Sequence, residues 1–108
     1  MEIDVTFRDI ERSEAIEQRV RERAERLTRY SDRIGTCHVV VQAPHRHHHK
    51  GKLYDVRIQV HLPGHDVVVN HEGLNDHTHE DVFVAIRDAF DAAERQVEDL
   101  QRRLRERG

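Results

Sequence analysis

The chain has 108 residues, with 18 Lys and Arg against 21 Asp and Glu, 10 His, one Cys and no Trp, for a formal net charge of −3. That length reads as a single domain, residues 1–108, built on one core, and its longest apolar runs, Val39–Val41 and Val67–Val69, fall far short of the ~20 residues a bilayer span needs. The acidic N-terminus lacks the apolar stretch of a signal peptide, the lone Cys excludes an internal disulfide framework in favour of a reducing cytoplasm, and the slight acidity argues at face value against nucleic acid.

In chain order, residues 2–7 alternate, with Ile3, Val5 and Phe7 on one face and Glu2, Asp4 and Thr6 on the other, the period-two pattern of a half-buried strand. Ser13 is placed to cap a helix whose first turn holds Glu14 and Glu17, where the positive helix end favours acids. Ile16, Val20, Ala24 and Leu27 then make one apolar stripe, and Gly35 closes the unit. A strand rich in β-branched residues is expected over 36–43, followed by a polar hairpin loop of Pro44 and the run His45-Arg46-His47-His48-His49-Lys50-Gly51-Lys52. Residues 53–62 alternate again, Val56, Ile58, Val60 and Leu62 against Arg57, Gln59 and His61; Pro63-Gly64 signals a turn, and 65–72 supply a fourth strand. After a loop over 73–77, Thr78-x-x-Asp81 has the form of a capping box and opens a long helix to about Arg107. Its stripe is Val82, Ile86, Ala89, Phe90, Ala93, Val97, Leu100 and Leu104. Two helices with one stripe each need one surface, so the β-α-β-β-β-α order predicts an α+β fold: a four-stranded sheet with two helices side by side on one face.

The net charge conceals a sorted distribution. On the first helix Arg19, Arg23 and Arg26 follow an i, i+4, i+7 rhythm along one flank of the stripe, continued by Arg29 and Arg33, with Glu14, Glu17 and Glu25 on the opposite flank. One reading is a solvated face braced by pairs such as Glu22–Arg26 and Glu25–Arg29, worth about 0.2–0.5 kcal/mol each. The other is a row of guanidinium groups for phosphates. Sixteen of the eighteen basic residues are Arg, the side chain suited to bidentate phosphate contact, and 102–108 carry four Arg against one Glu. The second helix is more mixed: Arg87, Arg95, Arg102 and Arg105 share a side, but Asp91, Glu94 and Glu98 stand among them. Neither Arg23 nor Arg26 falls in the apolar stripe, so exchanging both is expected to leave the fold intact.

The run His45-x-His47-His48-His49 has metal-ligand chemistry, yet neither Cys-x-x-Cys nor His-Glu-x-x-His accompanies it, so no metal site and no cofactor is expected. A proton-responsive loop is its other reading, since imidazoles with pKa about 6.5 would add charge in mild acid. His71, Glu72, His77, His79, Glu80 and Asp81 form a second cluster without recognised ligand spacing. Cys37 is expected to be a buried core residue, with His38 on the opposite face of the strand and unable to activate it. There is no Gly-rich phosphate loop, no G-x-S-x-G and no carboxylate pair that strand spacing would unite, so an enzyme is not expected.

The element order, the run Ser13-Glu14-Ala15-Ile16 through Leu27-x-x-Tyr30-x-Asp32-Arg33-Ile34, and the run Glu80-Asp81-Val82-Phe83-Val84-Ala85-Ile86 followed by Arg95-Gln96-Val97 together resemble the ribosome hibernation promoting factor family, also called ribosome-associated inhibitor or ribosomal subunit interface protein. The resemblance covers nearly the whole chain. It implies a fold similar to double-stranded RNA-binding domains and a translation inhibitor that lies in the decoding channel of the small ribosomal subunit, keeps out messenger and transfer RNA, and stabilises idle ribosomes in starvation or stationary phase. The implied partners are the small subunit and its ribosomal RNA, with a separate ribosome modulation factor as a cooperating protein; DNA and membranes are not implied.

Carried over by position, Arg23 and Arg26 fall where the family places basic residues on the first helix, and Arg95, Arg102 and Arg105 where it places them on the second. Arg19, Arg29, Arg33, Arg103 and Arg107 join them from the helical wheel alone. RNA of this kind is read by shape and phosphate, so arginine rows suffice without aromatic platforms. Arg87 stands where the family often has Asp, Glu98 and Asp99 replace frequently basic positions, and the two His-containing loops look like local insertions. A short form is expected, without the family's C-terminal dimerisation domain or extended acidic tail. Outside this resemblance, a small protein-binding module or a His-rich metal-binding protein are the alternatives.

Overall fold

A computed structural model of the protein describes residues 1–43, 53–72 and 81–107. Strand β1 (Glu2–Arg8) leads into helix α1 (Glu14–Arg26), which a 3-10 turn (Leu27–Arg29) extends; β2 (Thr36–Gln42), β3 (Asp55–Leu62), β4 (His65–His71) and helix α2 (Val82–Arg107) follow. The His45–His49 run, Thr78, His77 and His79 lie outside the described residues.

The sheet order is β1-β2-β3-β4, with β1 parallel to β2 and the other neighbours antiparallel. No hairpin can join a parallel pair, so α1 serves as the crossover and is carried onto a face of the sheet. The register aligns the expected apolar positions into lateral rows: Ile3, Cys37, Val60 and Val67 in one, Val5, Val39, Ile58 and Val69 in the next. Both helices press their stripes onto this face, α1 against β1 and α2, α2 against β3 and β4. Phe90, Leu27, Ile58 and Ile86 are fully buried between the layers. Cys37 is buried too, as expected, and burial pushes its thiol up to about 12.

The helix ends show how local chemistry sets the boundaries. Ser13 caps α1: its Oγ accepts from the Ile16 N–H at 3.3 Å and its carbonyl from the Glu17 N–H at 2.9 Å. Hydrogen bonds from Arg12 and Arg21 hold the Glu17 carboxyl below its usual range. Of the Thr78-x-x-Asp81 motif, Asp81 is described and stands at the start of α2, while Thr78 lies outside the described residues. Asp81 is itself the cap, its Oδ1 accepting from the Phe83 N–H at 2.9 Å and its carbonyl from Val84 and Ala85 at 3.1 Å. An Asp at that position satisfies the free N–H groups directly, so the helix starts at Val82. Between β3 and β4, Pro63 and Gly64 span the paired residues Leu62 and His65, and Gly64 takes φ 74°, a conformation side chains disfavour.

With 26 residues, α2 is about 39 Å long, well beyond the ~25 Å of the strands beneath it. Leu104 is its last residue packed on the core, and Arg105, Glu106 and Arg107 stand exposed past it. Among the described residues no helix is long and apolar enough to cross a membrane. Truncating Leu27 to Ala should destabilise the protein by about 2–5 kcal/mol in urea unfolding. In the same experiment Cys37 should resist a thiol reagent at neutral pH until the chain unfolds.

Candidate functional site

Each helix lays its apolar stripe on the sheet, so one flank of α1 must face one flank of α2. That flank holds Arg19, Arg23 and Arg26 on α1 and Tyr30 directly after the 3-10 turn; on α2 it holds Phe83, Phe90, Glu94 and Gln101. Arg23 is only 8% exposed. One terminal nitrogen lies 2.6 Å from Asp91 Oδ1 and 2.8 Å from Glu94 Oε2, and the guanidinium carbon is 5.9 Å from the centre of the Phe90 ring. Glu94 is equally buried, and its second oxygen accepts from the Tyr30 hydroxyl at 3.1 Å and from Arg26 at 3.5 Å. Gln101 continues the seam with a 3.0 Å bond to Ser31 Oγ.

Burial opposes the charged form of Arg23, but hydrogen bonds to Glu94 and Asp91 more than offset it and hold the guanidinium above its ordinary pKa. The same carboxylate raises the Tyr30 pKa, because the phenol donates to an acceptor that repels a phenolate.

This corrects the expectation that Arg23 stands clear of the interior and can be exchanged with the fold left intact. A helical wheel identifies the flank but not the neighbour that covers it. Asp91 and Glu94, which look in sequence like acids diluting a basic face, are the partners of that one Arg. Tyr30 and Glu94 are the residues of this cluster that the helical wheel does not single out. The signal was a matched acid on the α2 flank that also carries Phe83 and Phe90.

The other expected residues remain at the surface. Arg19 lies over the Phe83 ring at 5.1 Å and is half exposed. Arg26 keeps 43% of its side chain exposed despite the contact to Glu94. With Glu22, Arg87 and Val84, these residues line a shallow groove of ≈ 510 Å³ at the mouth of the seam, with Arg23 at its base. Arg87, off the family pattern in sequence, thus joins the first-helix arginines, although its guanidinium also bonds Asp88. Arg29, Arg33, Arg95, Arg103, Arg105 and Arg107 are exposed and form no ion pair among the described residues. Arg102 is exposed and pairs with Asp99. The structure therefore divides these arginines into a seam group around the groove, a group on the distal half of α2, and Arg29 and Arg33 on and after the 3-10 turn.

Of the second His-containing cluster, His71 is half buried on β4, Glu72 is exposed and Asp81 caps α2. His38 and Cys37 do lie on opposite faces of β2.

A mixed four-stranded sheet, covered on one face by two helices whose solvent sides mix arginine with Asp and Glu, defines a small α+β domain. A profile of the family described as Sigma 54 modulation protein / S30EA ribosomal protein matches residues 3–105, and the chain belongs to that family. It is a family of ribosome-associated factors rather than of enzymes. The chain is similar to the crystal structure of the Thermus thermophilus Protein Y N-terminal domain, with 31% identity, TM-score 0.74, and coverage of 93% of this chain and 99% of that one. A ribosomal subunit interface protein from Coxiella burnetii shares the fold at TM-score 0.71 and 19% identity, over 94% of this chain and 98% of that one. Among curated proteins none matches.

Removing one partner of a buried pair strands the other, so Glu94→Ala should cost about 3–5 kcal/mol in urea unfolding. Asp91 is 48% exposed, and Asp91→Ala should cost less than about 1 kcal/mol. The pKa of Tyr30 is raised on folding, so the stabilisation from its hydrogen bond is complete below the ordinary phenol range and disappears as pH rises through the native value. In a Tyr54→Phe background, absorbance titration should show Tyr30 ionising above pH ~10, and Glu94→Gln should bring that midpoint down.

Proposed function

We propose that this protein binds the small ribosomal subunit through its helix layer, occupies the decoding channel in place of messenger and transfer RNA, and so silences and preserves idle ribosomes. It would act in the cytoplasm, under stress or in stationary phase, as a binding factor without catalysis. The observation that supports this best is the placement of exposed arginines on the two helices of a chain that belongs to a ribosome-associated family. The similar Coxiella protein carries the description ribosomal subunit interface protein, consistent with the same partner.

In this reading Arg19, Arg26, Arg29 and Arg33 meet phosphates from α1 and the turn after it, and Arg95, Arg102, Arg103 and Arg105 meet them from α2. Arg87 adds a further guanidinium beside the groove. Arg23 has a different part. One of its terminal nitrogens bonds both Asp91 and Glu94, so it holds the two arginine-bearing helices at a fixed spacing. Phosphate contacts position such a protein without reading sequence, and they make binding strongly salt-dependent.

Co-sedimentation with purified small subunits tests the proposal. Binding should be clear at 50 mM salt and weaker by about 10³–10⁵ at 200 mM if 6–10 phosphates are contacted. Changing Arg26, Arg95 and Arg105 together to Gln should weaken binding and reduce the log–log salt slope by about one for each Arg. Absence of the wild-type protein from the subunit fraction at 50 mM salt would refute the proposal.

A further inference from the structure

The outer face of the sheet, away from the helices, carries a different chemistry. Asp4 on β1 and His38 on β2 are direct partners in the parallel pair, and His61 on β3 and Asp66 on β4 are direct partners in an antiparallel pair. His38 pairs with Gln59 and His61 with Thr36, so the two imidazoles are diagonal neighbours across β2 and β3. Read across the sheet, the order is Asp4, His38, His61, Asp66: two imidazoles in the centre with a carboxylate outside each.

His38 Nδ1 lies 3.1 Å from Asp4 Oδ2, and His61 Nδ1 lies 2.6 Å from Asp66 Oδ1. A carboxylate only accepts, so each Nδ1 carries the proton, and in the neutral ring Nε2 holds the lone pair. The second oxygen of Asp66 accepts from Gln59 Nε2 at 3.4 Å, which helps orient that carboxylate. With each Nδ1 drawn to its outer strand, each Nε2 lies on the inner side of its ring. Carboxylates fix metal-binding histidines in this same way, by orienting the ring and raising the basicity of the ligating nitrogen.

The spacing of the rings fits an ion between them. Their centroids are 5.5 Å apart and their planes are inclined by 81°. With metal–nitrogen bonds of about 2.0–2.1 Å, a ring centroid stands about 3.2 Å from the ion, and two imidazoles of a tetrahedral site are about 5.2 Å apart. The side chains are 43% and 39% exposed, open to an ion from solvent. Two carboxylates beside the rings complement a cation.

We propose that His38 and His61 form a two-imidazole site on the outer sheet face for a divalent ion of the zinc, nickel and copper class, bound through both Nε2 atoms. Imidazole ligands suit these ions rather than magnesium or calcium. Among the described residues no group of three or more His, Cys, Asp or Glu is arranged around one ion, so water completes the coordination and the ion is exchangeable. The site is separate from the helix layer and independent of ribosome binding.

The test is a zinc chloride titration of the full chain, followed by long-range proton–nitrogen NMR of the imidazoles. The Nε2 signals of His38 and His61 should shift together and saturate at one ion, with both Nδ1 protons retained. His38→Gln should weaken zinc binding at His61 at least tenfold, and His61→Gln should do the same at His38. Asp4→Asn and Asp66→Asn, both at exposed carboxylates, should each weaken it about 10–100-fold. Exchanging His45, His47, His48 and His49 for Gln should leave the response in place. Zinc that moves other imidazoles but neither of these two would overturn the proposal. So would an unchanged response at His38 after His61→Gln, since that is binding by one ring.

Discussion

A guanidinium held between two helices must keep its carboxylates, and the helix layer of this protein is organised around that requirement. Taking Arg23 out of water is unfavourable, and the loss is recovered chiefly by the buried Glu94, with the half-exposed Asp91 adding a second bond. Those two acids lie on α2, about one helical turn apart, so the pairing fixes how far α1 is rotated and where it sits along its neighbour. Tyr30 and Arg26 then share the remaining oxygen of Glu94, which ties the C-terminal end of α1 to the same point. Apolar contacts would permit several offsets between two smooth stripes; the polar cluster selects one. The groove above it, with Arg19, Arg26 and Arg87 on its walls, exists because that offset is fixed.

The overall architecture was readable from periodicity. Alternation in Ile3-Val5-Phe7 and in Val56-Ile58-Val60-Leu62, and the helical stripes from Ile16 and Val82, each report which side of an element meets the core, and burial is a one-element property that a pattern can express. Pairings between elements are less accessible. Nothing in the first helix announces that Arg23, and not Arg19 or Arg29, will meet Glu94, because that depends on the rotation and offset of a helix some seventy residues later. The diagonal contact of His38 with His61 depends in the same way on strand register.

The slight net acidity also takes on a structural meaning. Several of the acids are spent within the fold: Glu17 on Arg12 and Arg21, Asp91 and Glu94 on Arg23, Asp4 and Asp66 on imidazoles. The exposed positions of the two helices carry nine Arg against six Asp and Glu, so the helix layer is more positive than the chain as a whole. A sum over residues predicts solubility well, but a partner meets one face, whose sign is set by the charges exposed on it.

The parallel pairing of β1 with β2 has a consequence for the order of assembly. From Thr36 onward, each strand meets its successor through a hairpin, and α2 follows in sequence to cover the last two. β1 must instead find residues 34 positions away, Glu2 opposite Thr36, after α1 has turned the chain back. Closing that loop loses more chain entropy than forming either hairpin. Once docked, β1 is hydrogen-bonded along one edge only. The N-terminal strand and its helix thus form a late-joining, early-leaving cooperative unit, latched by the long-range Arg23–Glu94 contact. The latch that sets the geometry of the arginine surface is by the same token what couples that unit to the rest of the molecule, so a ligand gripping both helices would slow its opening.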